Sequence, residues 1–523
     1  MPSSRRAAPS PRAAAEVDEA RSALDAGEFE RVLRLLRDER FDRREDRVAA
    51  AVIEARALLA LDRHDQIAPL MQRASKEVKG ADETVLTQML HGAAMTLTGR
   101  RDQGESLLDQ TAALAKRTAP QLAAEVAYYR AVSRWSSHRL AEAEEIVEAA
   151  LPASKDVHRA RLLQLLGWID VRSENYSGAA RQFTAALDEL SRAKQPDVLA
   201  RSRLLHALSI IAAETVDLRL GRLVRREYEM NTWSEDTRIE RFHVLEYLAW
   251  LSLLEGQVGR AWDERQGALS LTVDTSYHAS ALTSAANIAG VVRDRFSEGR
   301  YFELAGSLLL RGDQLALDVD RRIAMLAFIA SAPSAHVDAA RKVLTLYDRT
   351  RPRKTERHAF EGDRRVEGFE LYARGMLSIT EGRTQQGIAD LEKALDLWSR
   401  LTYRLRVAVT ANALRSVTGD PRYAQIALDA LRSAPNAWLR PALERGSNED
   451  NPLARLTPAE RRVLTELCKG KKAREIATTF DRSFNTINNH TRAIFTAFGV
   501  RSRASLVAEC ARRGILDDVN KAR

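Results

Sequence analysis

The stretch Leu163–Leu187, with the sequence LQLLGWIDVRSENYSGAARQFTAAL, carries the pattern that decides the fold of this 523-residue chain. Leu166 and Gly167 end the apolar face of a first helix, and Asn175 and Tyr176 mark a turn. Apolar side chains then recur at i, i+4, i+7 and i+8, which form one face of a second helix: Ala179, Phe183, Ala186 and Leu187. The small side chains at positions 167 and 179 let the two helices approach closely. The stretch therefore predicts a helical hairpin.

Turn signals like the one at Asn175 recur with a spacing of 37 residues, at Gly27, His64, Arg101, His138, Asn175 and again at Gly382 and Gly419. A fixed period of this length is typical of stacked supersecondary units. The order Leu-Gly, Tyr, Ala-x3-Phe-x2-Ala at 163–187 resembles the tetratricopeptide repeat (TPR), and weaker copies occur at 256–269 and 375–395. The resemblance implies a TPR-like solenoid whose groove would hold a protein or peptide. The helix tryptophans would line that groove or, more in keeping with their amphipathic helices, fill gaps between repeats: Trp135, Trp168, Trp250, Trp262 and Trp398.

The composition agrees with an almost wholly helical protein. Gly (25) and Pro (14) are scarce, aromatic residues make up 6% of the chain, and 45% hydrophobic content excludes wholesale disorder. No apolar run approaches the roughly 20 residues that span a membrane. Two cysteines, Cys468 and Cys510, make no disulfide framework and are expected to pack in the interior. Phosphate-loop, zinc-protease and serine-hydrolase motifs are missing, so we expect no enzyme, no cofactor and no metal site.

Positive charge is concentrated at one end of the chain. Residues 451–523 hold 15 Lys and Arg against 7 Asp and Glu, whereas the remaining residues are nearly neutral. A compact basic segment on a neutral body indicates a module that binds a polyanion, the alternative being a solvated tail.

Residues 456–516 predict four short helices. Thr457 and Glu460 form a capping box with Pro458 at the first helical position, and Ser483 can cap the third helix. Two short helices joined by a tight turn near Asp481 form a helix-turn-helix, whose second helix fits the major groove of DNA. The outer side of that helix offers side chains that pair with adenine or guanine: Asn485, Asn488, Asn489 and Arg492. Lys471, Lys472 and Arg474 lie beside the preceding helix, where they could meet phosphates.

A series of ordered motifs in this segment resembles the LuxR-type (NarL/FixJ-like) DNA-binding domain: Leu456-Thr457-x-x-Glu460-Arg461-x-Val463-Leu464, Gly470, Glu475-Ile476-Ala477, Ser483, Thr486-Ile487-x-x-His490 and Phe498-Gly499-Val500-x-Ser502-Arg503. The resemblance implies a bacterial transcription regulator that binds double-stranded DNA as a homodimer. In that family the fourth helix of the domain mediates dimerisation. It implies base contacts from Asn488, Asn489 and Arg492, and places Thr486 and His490 near the backbone or in support of the helix.

Two positions depart from the family. Lys is usual where this chain has Asn488, and Arg482 replaces an apolar residue whose space Phe484 would fill. With no Cys or second His nearby, His490 is expected to pack or to contact phosphate rather than bind zinc. The fourth helix begins at Ser502, and Ser502, Leu506 and Val507 are predicted to take part in dimerisation.

The domain prediction is a disordered tail at 1–14, the solenoid at 15–433, a linker at 434–452, the helix-turn-helix domain at 453–516 and a tail at 517–523. The leading hypothesis is a cytoplasmic, nucleoid-associated regulator whose array senses a signal and controls the DNA reader, with RNA polymerase as a further candidate partner. The alternative is a TPR scaffold whose C-terminal domain mainly dimerises or recruits partners. Charge on the third helix and its flanks discriminates the two, because a scaffold does not need the basic residues there: Arg492, Lys471, Lys472 and Arg474.

Overall fold

The computed structural model describes residues 11–37, 41–193, 197–271, 275–292, 294–311, 319–349, 364–444, 452–453 and 456–512. Within these ranges the chain forms α-helices and short 3-10 turns and contains no strand, which confirms the all-α prediction. The first thirteen helices are α1 (Pro11–Asp25), α2 (Phe29–Leu36), α3 (Arg44–Ala60), α4 (Ile67–Ala74), α5 (Ala81–Leu97), α6 (Arg101–Thr118), α7 (Ala123–Ser136), α8 (Leu140–Ala150), α9 (Asp156–Arg172), α10 (Tyr176–Arg192), α11 (Val198–Glu214), α12 (Leu218–Met230) and α13 (Arg238–Leu254).

The remaining described helices complete the repeats and form the C-terminal domain. They are α14 (Val258–Ser270), α15 (Thr275–Val291), α16 (Arg295–Arg311), α17 (Val319–Ser331), α18 (Val337–Arg349), α19 (Arg364–Thr380), α20 (Thr384–Arg400), α21 (Arg404–Thr418), α22 (Pro421–Ala430), α23 (Arg440–Glu444), α24 (Pro458–Cys468), α25 (Ala473–Phe480), α26 (Phe484–Phe498) and α27 (Arg503–Arg512). The 3-10 turns are His64–Gln66, Pro120–Leu122, Leu151–Ala153, Glu235–Thr237 and Ser334–His336. Among the described residues, no helix is both long and apolar enough to span a membrane.

The hairpin turns share one backbone geometry. A residue with left-handed φ closes the first helix of each, and these residues are Gly27, Asp62, Gly99, His138, Glu174, Val216, Gly256, Gly382 and Gly419. In all of these turns except the one at Gly419, the next amide bonds to a carbonyl five residues back, as from Arg100 N–H to the Met95 oxygen at 2.9 Å, which is a Schellman turn. After Gly419 the Asp420 amide donates to Thr418 Oγ1 at 3.1 Å instead. Each turn signal read from the sequence falls within two residues of one of these positions.

The described chain divides into two compact units, and the first comprises Met1–Ile211 and Arg219–Val244. Its hairpins are tightly crossed: a Cβ on Gly167 would lie 2.4 Å from the Phe183 ring, so only glycine fits there. The unit also closes on itself, because the Glu30 amide donates to the Asp236 carboxylate at 3.2 Å. Ser234 Oγ donates to the Gly27 carbonyl at 3.3 Å at the same contact. These contacts join turns that lie more than 200 residues apart in the sequence.

The second unit comprises Ala212–Leu218 and Leu245–Arg523. Its α19–α20 hairpin repeats the close crossing, since a Cβ on Gly387 would lie 2.7 Å from the Gly375 carbonyl oxygen. Trp398 is 1% exposed and stacks on Tyr403 with ring centroids 5.7 Å apart. This tryptophan therefore fills a gap inside the repeat rather than lining an open groove.

Two domain boundaries predicted from the sequence are wrong in part. Helix α1 begins at Pro11, inside the predicted disordered tail, because Pro at the first helical position is followed by the good helix formers Arg12 to Ala15. Residues 434–444 of the predicted linker pack against the repeats, with Ala434, Ala437 and Leu443 at most 3% exposed. Residues 1–10, 445–451 and the predicted tail at 517–523 lie outside the described residues.

Candidate nucleic-acid interface

Helices α24 to α27 enclose their own apolar core. Its fully buried members come from all four helices and from the residue before them: Leu456, Val463, Leu464, Leu467, Ile476, Ile487, Ile494, Phe498, Leu506 and Cys510. The half-buried Cys468 packs against this core, and its contact with Cys510 lowers the pKa of the Cys468 thiol. Neither of these two described cysteines forms a disulfide, and Cys510 is wholly buried.

Capping residues fix where each helix begins. The Thr457 amide donates to Glu460 Oε2 at 2.8 Å and the Glu460 amide donates to Thr457 Oγ1 at 3.3 Å, which is the predicted capping box. These hydrogen bonds hold the pKa of Glu460 below its usual value. Ser483 Oγ accepts the Thr486 amide at 3.1 Å and starts α26. Asp481, with φ of +51°, forms the tight turn between α25 and α26.

The outer face of α26 carries the predicted base-reading side chains. Asn485, Asn489 and Arg492 are exposed and follow one another at i, i+4 and i+7, so they form one stripe. Asn488 is half-buried at the edge of that stripe. Ile487 and Ile494, which are at most 1% exposed, hold the opposite face against the domain core.

The predicted backbone-contacting residues are not equivalent. Lys471 Nζ lies 2.6 Å from Glu466 Oε2, so its charge is compensated within the domain, and Lys471 with Lys469 holds the pKa of Glu466 below its usual value. Lys472 and Arg474 are exposed and have no acidic partner among the described residues; Arg474 lies 5.7 Å from the ring of Phe484.

Two of the predicted contacts support the fold of α26. Thr486 Oγ1 lies 2.8 Å from Ser483 Oγ at the start of the helix. His490 Nδ1 lies 3.7 Å from Glu460 Oε1, which ties α26 to the capping box of α24. Both side chains are half-buried, so they position the exposed stripe as well as lying near it.

Two expectations for this domain need correction. Leu506 is 0% exposed in the core of its own domain, so it is not available as a dimerisation contact. Its amphipathic helix turns Ala504, Ala508 and Ala511 outward instead, with Val507 half-buried and Ser502 capping the helix through the Ser505 amide at 3.1 Å. Phe484 does not fill the space left by Arg482, since its side chain is 44% exposed.

Sequence reasoning missed one positioning residue. Arg503 Nη1 donates to the Gly470 carbonyl at 2.7 Å, so α27 fixes the loop that carries Lys471 and Lys472. The motif that contains Arg503 was recognised, but a bond to a backbone carbonyl 33 residues away has no local signal. In the described part of the chain, no group of three His, Cys, Asp or Glu side chains is placed to hold a metal ion.

Comparison with known proteins identifies a family for the C-terminal segment. Residues 454–509 match the family described as "Bacterial regulatory proteins, luxR family". No curated protein matches the chain. Solved structures that match this chain include NprR in complex with its cognate peptide NprX. That match has 11% sequence identity, covers 74% of this chain and 98% of that one, and has a TM-score of 0.37. The apo quorum sensor NprR from B. thuringiensis covers 80% and 98% at 11% identity and TM-score 0.33, and apo RapI covers 76% and 99% at 11% identity and TM-score 0.39.

Proposed function

Because residues 454–509 form a LuxR-family helix-turn-helix domain, we propose that this protein is a sequence-specific, DNA-binding transcription regulator. The observation that supports the sequence specificity is the exposed stripe Asn485, Asn489 and Arg492 on α26. A helix of this kind lies in the major groove, where side chains near its N-terminus contact base edges.

The chemistry of the stripe favours particular bases. Arg492 suits bidentate hydrogen bonding to guanine, and Asn485 and Asn489 suit adenine. Asn488 lies at the edge of the stripe, and its side chain is shorter than the Lys that is usual at this position. Lys472 and Arg474 supply charge to phosphates and therefore affinity without specificity.

Dimerisation supplies a second copy of α26, which reads the second half-site of the DNA. We assign it to the outer face of α27, where the small exposed side chains Ala504, Ala508 and Ala511 allow a second helix to approach closely. Two copies related by a two-fold axis read an inverted repeat, whose half-sites are separated by about one helical turn of DNA.

The repeat body is proposed to sense the signal. In the first unit, α6, α7, α8 and the start of α9 surround a cavity of about 1170 Å³. Alanines such as Ala123, Ala124 and Ala127 form one wall, whereas Lys116, Lys155 and His158 supply polar groups. The Nδ1 atom of His158 is buried without a hydrogen-bond partner among the described residues. This combination suits a peptide, whose backbone satisfies polar groups while small apolar side chains cover the alanines.

The regulator would act on chromosomal DNA in the cytoplasm, with RNA polymerase as its further partner at promoters.

The direct test is capture of DNA by the full-length protein. Fragmented genomic DNA is mixed with the purified chain at moderate salt, and the retained fragments are sequenced. We expect enrichment of a few sites that share an inverted repeat, and loss of that enrichment in Arg492→Ala. Arg400→Ala is the matched control, because Arg400 is a 65% exposed arginine on a repeat helix.

Two results would contradict the proposal. Uniform retention that Arg492→Ala leaves unchanged, with the same salt dependence, would mean that α26 does not read bases. No retention at any salt concentration, with the dimer intact, would favour a scaffold whose C-terminal domain recruits partners.

A further inference from the structure

The last residues before the C-terminal domain form a strap, defined here as residues 431–444, that is bound to the second unit. Ser433 Oγ donates to the Val216 carbonyl at 2.7 Å, and the Trp438 amide donates to the Leu253 carbonyl at 3.1 Å. The Trp438 ring lies 5.7 Å from the ring of Trp250. The strap thus makes polar and aromatic contacts to residues about 180 to 220 positions earlier in the chain.

Arg406 links these two anchor points of the strap. Its Nε atom donates to Glu214 Oε1 at 2.9 Å and to Oε2 at 3.0 Å, two residues before Val216. Its guanidinium also lies 5.6 Å from the ring of Trp250, on which Trp438 packs. Glu214 is 3% exposed at its side chain, so this pair is buried. A change at Arg406 is therefore expected to affect both anchor points of the strap, Ser433 and Trp438.

Gly256 makes the closest approach to the strap. A Cβ placed there would lie 2.5 Å from the carbonyl oxygen of Asn436, and its φ is +76°. Gly382 has the same left-handed conformation, with φ of +84°, but a Cβ there would meet nothing within 4 Å. The two glycines differ in whether the strap lies against them.

The strap sets the length of chain available to the C-terminal domain. Glu444 ends it, and Leu453 packs on the core of the helix-turn-helix domain. From Glu444 to Leu453 an extended chain spans at most about 30 Å, whereas from Ser433 it spans about 70 Å. Release of the strap therefore more than doubles the distance that the DNA reader can cover.

We propose that the strap is a latch, locked in this structure through Arg406, Trp250 and Trp438, whose release lets the DNA-binding domain reach a second half-site. The strap suits this role because its deeply buried residues are two alanines and two leucines, Leu431, Ala434, Ala437 and Leu443, whereas Trp438 is only half-buried. The strap can therefore detach while the repeats stay folded. The proposal rests on the DNA-binding function above and adds the element through which the repeat body controls it.

The test compares Gly256→Ala with Gly382→Ala in the full-length protein. Both variants strain a left-handed glycine, but only Gly256→Ala forces the strap away. Limited trypsin digestion reports release at the Arg432–Ser433 bond, because the hydrogen bond from Ser433 to Val216 holds this backbone in place while the strap is bound. Binding is then measured on the duplex enriched from the genome, in one version with both half-sites and in another with a single half-site.

We expect Gly256→Ala to be cut after Arg432 at least fivefold faster than the wild type and Gly382→Ala. We expect its affinity for the two-site duplex to rise at least fivefold, with single-site affinity unchanged. Trp438→Ala should reproduce both effects without changing any glycine. Faster cutting with unchanged two-site affinity would overturn the latch, and so would equal cutting in all four proteins. Absence of binding to either duplex would instead refute the DNA-binding function itself.

Discussion

Arginine serves opposite purposes in the repeat body and in the helix-turn-helix domain. In the body, arginines pair with carboxylates from other helices, as in Arg56 with Glu125 and Arg161 with Asp197, both at 2.8 Å. In the C-terminal domain, Lys472, Arg482 and Arg492 have no acidic partner among the described residues. This difference agrees with composition, since residues 451–523 hold 15 Lys and Arg against 7 Asp and Glu and the rest of the chain is nearly neutral. Charge in the body stabilises the stack, whereas charge in the domain remains available for a ligand of opposite sign.

The largest expected effect tests the structural role of charge in the body. Glu125→Ala removes a 2% exposed carboxylate that accepts two hydrogen bonds from Arg56 Nη2 at 2.8 Å. We expect the free energy of unfolding to fall by about 3–5 kcal/mol, because Arg56 loses its partner in a partly buried site. Urea denaturation followed by circular dichroism measures it. The double variant Arg56→Met/Glu125→Leu should recover most of the loss, and a single-variant loss below about 1 kcal/mol would place this pair among ordinary surface contacts.

The next effect tests the opposite role in the C-terminal domain. Arg492→Ala should weaken binding to the enriched duplex by about 10- to 100-fold, corresponding to a lost bidentate base contact of about 1–3 kcal/mol. Its melting temperature should match that of the wild type, because the side chain is exposed. Fluorescence anisotropy and thermal melting measure the two quantities. A large drop in melting temperature would show that Arg492, like the paired arginines of the repeat body, stabilises the fold. The contrast between the two regions would then be wrong.

A third effect concerns a titratable group that the body keeps neutral. His206 is stacked on His243 with ring centroids 4.3 Å apart, and burial, reinforced by His243 and Arg203, holds the pKa of His206 well below its usual value. The unfolded chain therefore binds a proton more readily than the folded chain. Stability should be constant above pH 6.5 and should fall below it, by at most about 1.4 kcal/mol per pH unit. Urea denaturation between pH 7.5 and 5 checks this. His206→Gln should flatten the decline and His278→Gln should leave it unchanged; equal slopes in all three proteins would contradict the assignment.

The smallest effect sharpens the comparison within the C-terminal domain. Lys472→Ala should reduce the slope of log affinity against log salt by about 0.9, the value for one released counterion. Lys471→Ala should reduce it less, because Glu466 already neutralises Lys471 at 2.6 Å. Titrations at three salt concentrations measure both slopes. Equal reductions would mean that DNA displaces Glu466 and that the ion pair in the free protein has no bearing on binding.

The hairpins were predictable because their signals are local. Gly167 and Phe183 lie in the same hairpin, so the close crossing of α9 and α10 can be predicted from this short stretch of sequence alone. The stripe on α26 was predictable for the same reason, since helical periodicity alone separates Asn489 and Arg492 from Ile487.

Features that depend on distant parts of the chain were not predictable. Pro435 and Pro441 are typical of a linker, but Trp438 finds Trp250 in a helix almost 190 residues earlier, and composition cannot show that pairing. For Leu506, periodicity correctly indicated a buried face. It could not tell whether another helix of the same domain or a second copy of the chain covers that face.

The closure of the first unit has a consequence for how the chain is made. The partners of Gly27 and Glu30, Ser234 and Asp236, lie more than 200 residues later in the sequence. At about 5–20 residues per second, the N-terminal hairpin waits roughly 10–40 s on the ribosome before those partners are synthesised. During that time the face around Phe29 has only its neighbouring helices to cover it. A chaperone that binds early nascent chains would meet this hairpin first, and an expression fragment that stops before Ser234 would leave it permanently without its closing contacts.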